Sequence, residues 1–119
     1  MDLETLDARI AARAAASPEE SYTATLLEAG IAKCAKKLGE ESAELVIAAM
    51  GGDKREVAAE SADLLYHFLV LLRAADVSLD EVMAELDKRT AQSGLEEKSS
   101  RTTRAAPSRS LRSKRRPGS

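Results

Sequence analysis

Glu41-Ser42-Ala43-Glu44 and Glu60-Ser61-Ala62-Asp63 are two acidic pairs set in stretches otherwise rich in alanine, leucine and valine. In each pair the carboxylates stand three residues apart, so on a helix they share a face, one above the other. Like charges stacked this way repel, and partial burial adds a desolvation cost. A divalent cation held between two such helices would remove both penalties. A donor set made of carboxylate oxygens suits a hard ion that keeps its waters, Mg²⁺ or Mn²⁺. The expected chemistry is metal-dependent and acts on phosphates.

The elements that carry the pairs must bring them together. One helix is expected over about Ile31 to Met50, stopping at Gly51-Gly52. Asp53-Lys54-Arg55-Glu56 reads as a capping box that starts the next helix, which runs to about Ala75. So short a connection makes the helices antiparallel. Glu44 lies about two turns before it and Glu60 about two turns after it, so the pairs sit at similar heights. On the first helix Lys33, Lys37, Glu40, Glu41, Glu44 and Ala48 fall to one side, with Cys34, Leu38, Leu45 and Ala49 toward the core. On the second, Glu56, Glu60, Asp63 and His67 share a side, and Val57, Leu64, Leu65, Phe68, Leu71 and Leu72 cover most of the rest. The competing reading is a solvated acidic face with partners such as Lys37–Glu41 and Lys36–Glu40. It accounts poorly for Glu60 and Asp63, whose helix is apolar nearly all round.

Three further segments complete an all-α chain. A first helix is expected from about Asp2 to Ala16, with Leu3, Leu6, Ile10 and Ala14 as its apolar stripe. Ser17-Pro18-Glu19-Glu20 reads as a capping box with proline at the first helical position, followed by a short helix around Thr23 to Glu28 that ends at Gly30. Ser78-Leu79-Asp80-Glu81 is a third box, opening a last helix with Leu79, Val82, Met83 and Leu86 inward. No two-residue periodicity suggests a strand. The fold class is an antiparallel helix bundle, and dimerisation would help so short a chain bury its apolar surface.

Composition agrees. Aromatic residues make up 3 % of the 119, with no Trp, which favours close helix packing over a sheet. Cys34, the single cysteine, excludes an internal disulfide or a cysteine-based zinc cage and is expected as a small core residue. The longest apolar run, Leu64 to Leu72, is interrupted by His67 and too short for a bilayer, and Met1-Asp2-Leu3-Glu4 does not open like a signal peptide. A soluble, cytoplasmic protein is expected. The net charge of −2 hides an asymmetry: residues 1–97 hold ten Lys/Arg and all twenty Asp/Glu, whereas 98–119 hold eight Lys/Arg and no acid. Residues 1–98 are expected to fold, and 99–119 to form a basic, disordered tail.

Lys36-Lys37-Leu38-Gly39-Glu40-Glu41, then Glu44, then Glu60-Ser61-Ala62-Asp63-Leu64-Leu65-Tyr66-His67, resembles the all-α nucleotide pyrophosphohydrolases, which include MazG-like and dimeric dUTPase-like enzymes. Ser21-Tyr22-Thr23-Ala24 and Gly94-Leu95-Glu96-Glu97-Lys98 bring the resemblance closer to the phosphoribosyl-ATP pyrophosphohydrolase family of histidine biosynthesis, over about residues 3–101. The resemblance implies hydrolysis of phosphoribosyl-ATP to phosphoribosyl-AMP and pyrophosphate by a homodimer. It implies that Glu41, Glu44, Glu60 and Asp63 hold Mg²⁺, which neutralises charge on the triphosphate and activates a water. It also implies that Tyr22 and Thr23 touch substrate. Some relatives are fused to a cyclohydrolase with cysteine-bound zinc, and with Cys34 alone no such fusion is expected.

The remaining roles follow from position. Glu40 neighbours Glu41 but points about 100° away. It is the candidate water-orienting base, alongside Glu41 and Glu44 as the catalytic group, unless it only pairs with Lys36. Lys33 and Lys37, one and two turns before the acids, are candidates for phosphate, as are Arg89 and Lys98; for each lysine a plain surface role competes. His67, four residues after Asp63, is either a partner that orients Asp63 or a satisfied core histidine. No glycine-rich strand-to-helix loop is present, which excludes P-loop chemistry. Two other functions compete: a house-cleaning nucleoside triphosphate pyrophosphatase, and a non-enzymatic helical dimer whose basic tail binds nucleic acid. The tail has no aromatic residue for stacking and the folded body is acidic, so nucleic acid is not the expected partner.

Overall fold

The computed structural model describes residues 1–91, which form five helices and, among the described residues, no strand. They are α1 (Leu3–Ala14), α2 (Tyr22–Ala29), α3 (Ile31–Gly51), α4 (Lys54–Ala74) and α5 (Leu79–Thr90). This is the all-α architecture expected. The compact unit that holds the acidic pairs is Met1–Glu81, and the described residues 82–91 lie outside it. Gly94 to Lys98 and the basic tail lie outside the described residues.

Local chemistry sets each boundary. Asp2 caps α1, its Oδ1 accepting from the Thr5 N–H at 2.8 Å. The box expected at Ser17-Pro18-Glu19-Glu20 does not start a helix. Those residues make a single turn, with the Glu20 N–H donating to the Ser17 carbonyl at 3.0 Å, and Ser21 caps α2 by accepting from the Ala24 N–H at 3.1 Å. Thr25 explains the choice: its hydroxyl lies 2.8 Å from the Pro18 carbonyl and 3.1 Å from the Ser21 carbonyl, tying the turn to the buried cap. Gly30, at φ 103°, ends α2 and leads directly into α3, a bend that a residue with a Cβ would resist.

The second bend matters most for the site. Gly52 closes α3 in the left-handed region, at φ 82°, and Asp53 caps α4 by accepting from the N–H groups of Arg55 (2.9 Å) and Glu56 (3.4 Å). Two residues therefore join two 21-residue helices, which run antiparallel along each other in the most extensive contact of the fold. Helices α1 and α2 pack on this pair. α5 opens with a reciprocal box, the Ser78 N–H donating to Glu81 Oε2 at 2.8 Å and the Glu81 N–H to Ser78 Oγ at 3.1 Å.

The core comprises Ile10, Ala24, Leu26, Cys34, Ala48, Leu69, Val70 and Leu79. It differs from the expected one in a consistent way. Along α3 the inward edge is Cys34, Glu41 and Ala48, spaced by seven; Ala49 is exposed, and Leu38 and Leu45 are half-buried. The helix is thus turned so that its acidic side, not only its apolar side, enters the contact with α4. On α4 the buried residues are His67, Leu69 and Val70, and Leu65 is exposed. Leu86, expected inward, is exposed as well. Val46, Ile47 and Met50 remain largely uncovered on α3.

α4 ends in a Schellman arrangement: the Val77 N–H donates to the Leu72 carbonyl at 2.9 Å and the Asp76 N–H to the Arg73 carbonyl at 3.2 Å. The left-handed position is filled by Asp76 at φ 60°, not by glycine. Removing its Cβ strain should stabilise the fold. Asp76→Gly is expected to gain about 0.5–1 kcal/mol, read as a higher urea midpoint at unchanged slope.

Candidate metal centre

Glu41 on α3 and Glu60 and Asp63 on α4 each offer one carboxylate oxygen to a group whose members all lie within 4.8 Å of one another. The sequence placed these residues together, and the helical hairpin brings them there. Glu41 is only 8 % exposed, Glu60 is half-buried and Asp63 is exposed, so the cluster opens to solvent on one side. Glu41 Oε1 and Glu60 Oε1 are both buried without a hydrogen-bond partner among the described residues. A buried carboxylate oxygen with no donor costs free energy. Two such carboxylates, with a third beside them and one oxygen of each within 4.8 Å of the others, form an arrangement that a cation would satisfy. The donors are all oxygen, which fits a hard divalent ion.

Glu44 stands outside this trio, exposed, yet close enough to Glu60 to act on it. The Glu60 carboxyl is held above the ordinary carboxylate range, first by removal from water and then by the charges of Glu44, Asp63 and Glu41. Glu40 is exposed and pairs with Lys37 (Nζ to Oε1, 3.4 Å), three residues before it, not with Lys36. That bond, and next the phenol of Tyr22, raise the Lys37 pKa. Lys33 is exposed near the start of α3. Arg89 pairs with Glu85 on its own helix at 3.3 Å. Lys98 lies outside the described residues.

A second layer backs the acids. His67 is buried, its Nδ1 has no partner among the described residues, and burial depresses its pKa against the opposing pull of Glu41 and Asp63. Its ring meets Tyr66 edge-on at 5.0 Å and Tyr22 edge-on at 6.2 Å. Tyr22 and Tyr66 lie nearly parallel, 15° apart in plane, with centroids 6.4 Å apart. The Tyr66 hydroxyl is hydrogen-bonded to Thr23 Oγ1 at 2.6 Å. Thr23 is 1 % exposed, so its hydroxyl serves Tyr66 and faces no solvent. Sequence reasoning gave Tyr66 no role, although an aromatic three residues after Asp63 shares its helix face. Cys34 is core, as expected, its thiol donating to the Leu26 carbonyl at 3.3 Å.

The family model described as phosphoribosyl-ATP pyrophosphohydrolase matches residues 3–90. Curated relatives carry the name phosphoribosyl-ATP pyrophosphatase. The one from Methylobacterium nodulans is 58 % identical over 99 residues, 83 % of this chain and 92 % of its own. The Azorhizobium caulinodans relative is 59 % identical over 83 % of this chain and 91 % of its own. That from Rhizobium meliloti is 57 % identical over 83 % and 92 %.

The raised Glu60 pKa has a sign that can be checked. A carboxyl whose folded pKa lies above its unfolded value favours the fold while protonated, and that contribution is lost as pH rises through the folded pKa. Without added metal, Glu60→Gln is therefore expected to melt higher than the parent at pH 7. The difference should shrink toward pH 4, near the ordinary glutamate value of 4.5. An equal gain at both pH values in thermal melts would show that charge repulsion is not its source.

Proposed function

The chain belongs to the phosphoribosyl-ATP pyrophosphohydrolase family, and from that premise we propose that it hydrolyses phosphoribosyl-ATP to phosphoribosyl-AMP and pyrophosphate in histidine biosynthesis, in the cytoplasm and with Mg²⁺. The observation that carries the metal-dependent part is the pair of buried, unpartnered oxygens of Glu41 and Glu60 beside Asp63. Among the described residues no helix is long and apolar enough to cross a membrane.

Glu41, Glu60 and Asp63 would hold Mg²⁺, and Glu44, which lies against Glu60, completes the set from the exposed side. The bound ion supplies charge neutralisation on the triphosphate and a more acidic water. Glu40, adjacent to the proposed ligand Glu41, would orient an attacking water or accept its proton, with its ion pair to Lys37 opened for Lys37 to meet substrate. Lys37, and Lys33 a turn further out, meet phosphate oxygens; Arg89 and Lys98 are proposed as further substrate-binding residues on sequence grounds alone. Thr23 acts from behind by fixing Tyr66, which with His67 forms the wall under the acidic face. The α3–α4 hairpin keeps the carboxylates in place before substrate arrives, so little reorganisation remains for the reaction itself.

A homodimer is part of this reading. Val46, Ile47 and Met50 present a contiguous apolar edge on α3 at 62 %, 70 % and 84 % exposure, and Leu65 is exposed on α4. A second copy of the chain is the proposed cover.

Incubating the purified protein with phosphoribosyl-ATP and Mg²⁺ should release pyrophosphate, with Mn²⁺ a partial substitute. Full turnover in excess EDTA would sink the metal assignment. Glu41→Ala is expected to lose at least about a hundredfold in kcat, beyond the usual loss for residues behind the ligands, while its helical circular dichroism stays unchanged.

The proposed interface has its own measurement. Ile47→Asp should convert the protein to a monomer in sedimentation velocity; a dimer that persists unchanged would place the interface elsewhere.

A further inference from the structure

The chain contains two Tyr, one Phe, no Trp and one His. Both tyrosines and the histidine gather beside the acidic cluster, which is an unusual concentration for so aromatic-poor a protein. Tyr66 and His67 are held inside, by the hydrogen bond to Thr23 and by burial. Tyr22 differs: its side chain is 54 % exposed at the start of α2, directly after the buried cap Ser21. Its ring nevertheless joins the cluster, lying near-parallel to Tyr66 and edge-on to His67. An aromatic face half exposed at a charged site contributes little to core packing, because half its area stays in water.

Resting on the function proposed above, we propose that the Tyr22 ring is the platform on which the purine base of the nucleotide stacks. The spacing suits a nucleotide. His67 lies one helical turn, about 6 Å of rise, beyond Asp63, and Tyr22 is one ring contact further, 6.2 Å between centroids. With the phosphates at the carboxylates, a ribose spans the gap to the base. Lys37, paired with Glu40 at 3.4 Å, stands at the acidic end of that path, where an anionic chain would pass. Base-on-aromatic stacking tolerates any purine edge and needs a π-face, not a hydroxyl. Tyr22 is therefore an affinity residue for the base, while Thr23 positions the platform through Tyr66.

Two variants and one spectroscopic measurement test this. Tyr22→Phe should behave like the parent, and Tyr22→Leu should raise KM for phosphoribosyl-ATP roughly tenfold to a hundredfold, the range expected for one lost base stack, with kcat within a few-fold. Thermal melts of both variants check that the helices remain folded. The difference in tyrosine emission between the parent and Tyr22→Phe, corrected for nucleotide absorption, reports on the platform with the Thr23–Tyr66 bond intact. Mg²⁺ with ATP should quench it, and Mg²⁺ with inorganic tripolyphosphate, which lacks a base, should not. An unchanged KM in folded Tyr22→Leu, or equal quenching by tripolyphosphate and ATP, would overturn the proposal. Failure of the unaltered protein to release pyrophosphate would instead overturn the function it rests on, and the quenching contrast would still decide the platform.

Discussion

Repulsion between carboxylates that face each other across two helices is the constraint on which the rest of this structure depends. Glu41 and Glu60 each present a buried oxygen with no donor, and Asp63 and Glu44 add charge within reach. Placing such groups in a helix contact opposes folding, and the opposing term grows as water is excluded. The fold meets that cost elsewhere. The long α3–α4 contact, the capped bend at Gly52-Asp53 and the buried residues of α1 and α2 hold the acids in a geometry they would not adopt by themselves. Strain of this kind is typical where a protein is organised for a ligand and not for its own stability.

The wall behind the acids is built by different means. Tyr66, His67 and Thr23 are polar or aromatic groups in a part of the core where aliphatic residues would pack as well. Thr23 Oγ1 and the Tyr66 hydroxyl satisfy each other at 2.6 Å, which ties α2 to α4 by a bond with a direction. Aliphatic contacts would allow these helices to slide; this bond sets their register. The positions of Tyr22 and Lys37 relative to the carboxylates follow from that register.

Much of this was legible in the sequence, for identifiable reasons. Helices α3 and α4 were readable because long apolar periodicity coincided with strong stop and start residues, Gly52 and Asp53. The acidic trio was readable because three-residue spacing fixes a face whatever the packing, and a short link fixes the relative height. What failed depended on tertiary context. Ser17 and Ser21 both offer a cap, and only the bonds from Thr25 to Pro18 and Ser21 decide between them. The rotation of α3, which buries Ala48 in place of Ala49, is set by the requirement that Glu41 face Glu60, and counting apolar residues does not reveal it. Glu40 pairs with Lys37 three residues before it and not with Lys36 four before it, two spacings that helix periodicity permits alike. Tyr66 went unread because its role exists only opposite Thr23, forty-three residues away.

The two-residue link between α3 and α4 has a kinetic side. All four acidic residues of the proposed site belong to one hairpin of neighbouring helices, so no long loop must close to bring them together. Contacts of such short sequence separation form early and fast in helical proteins. Convergence of the acidic groups therefore carries little loop-closure cost, whereas the contacts of α1 with α4 span most of the described chain.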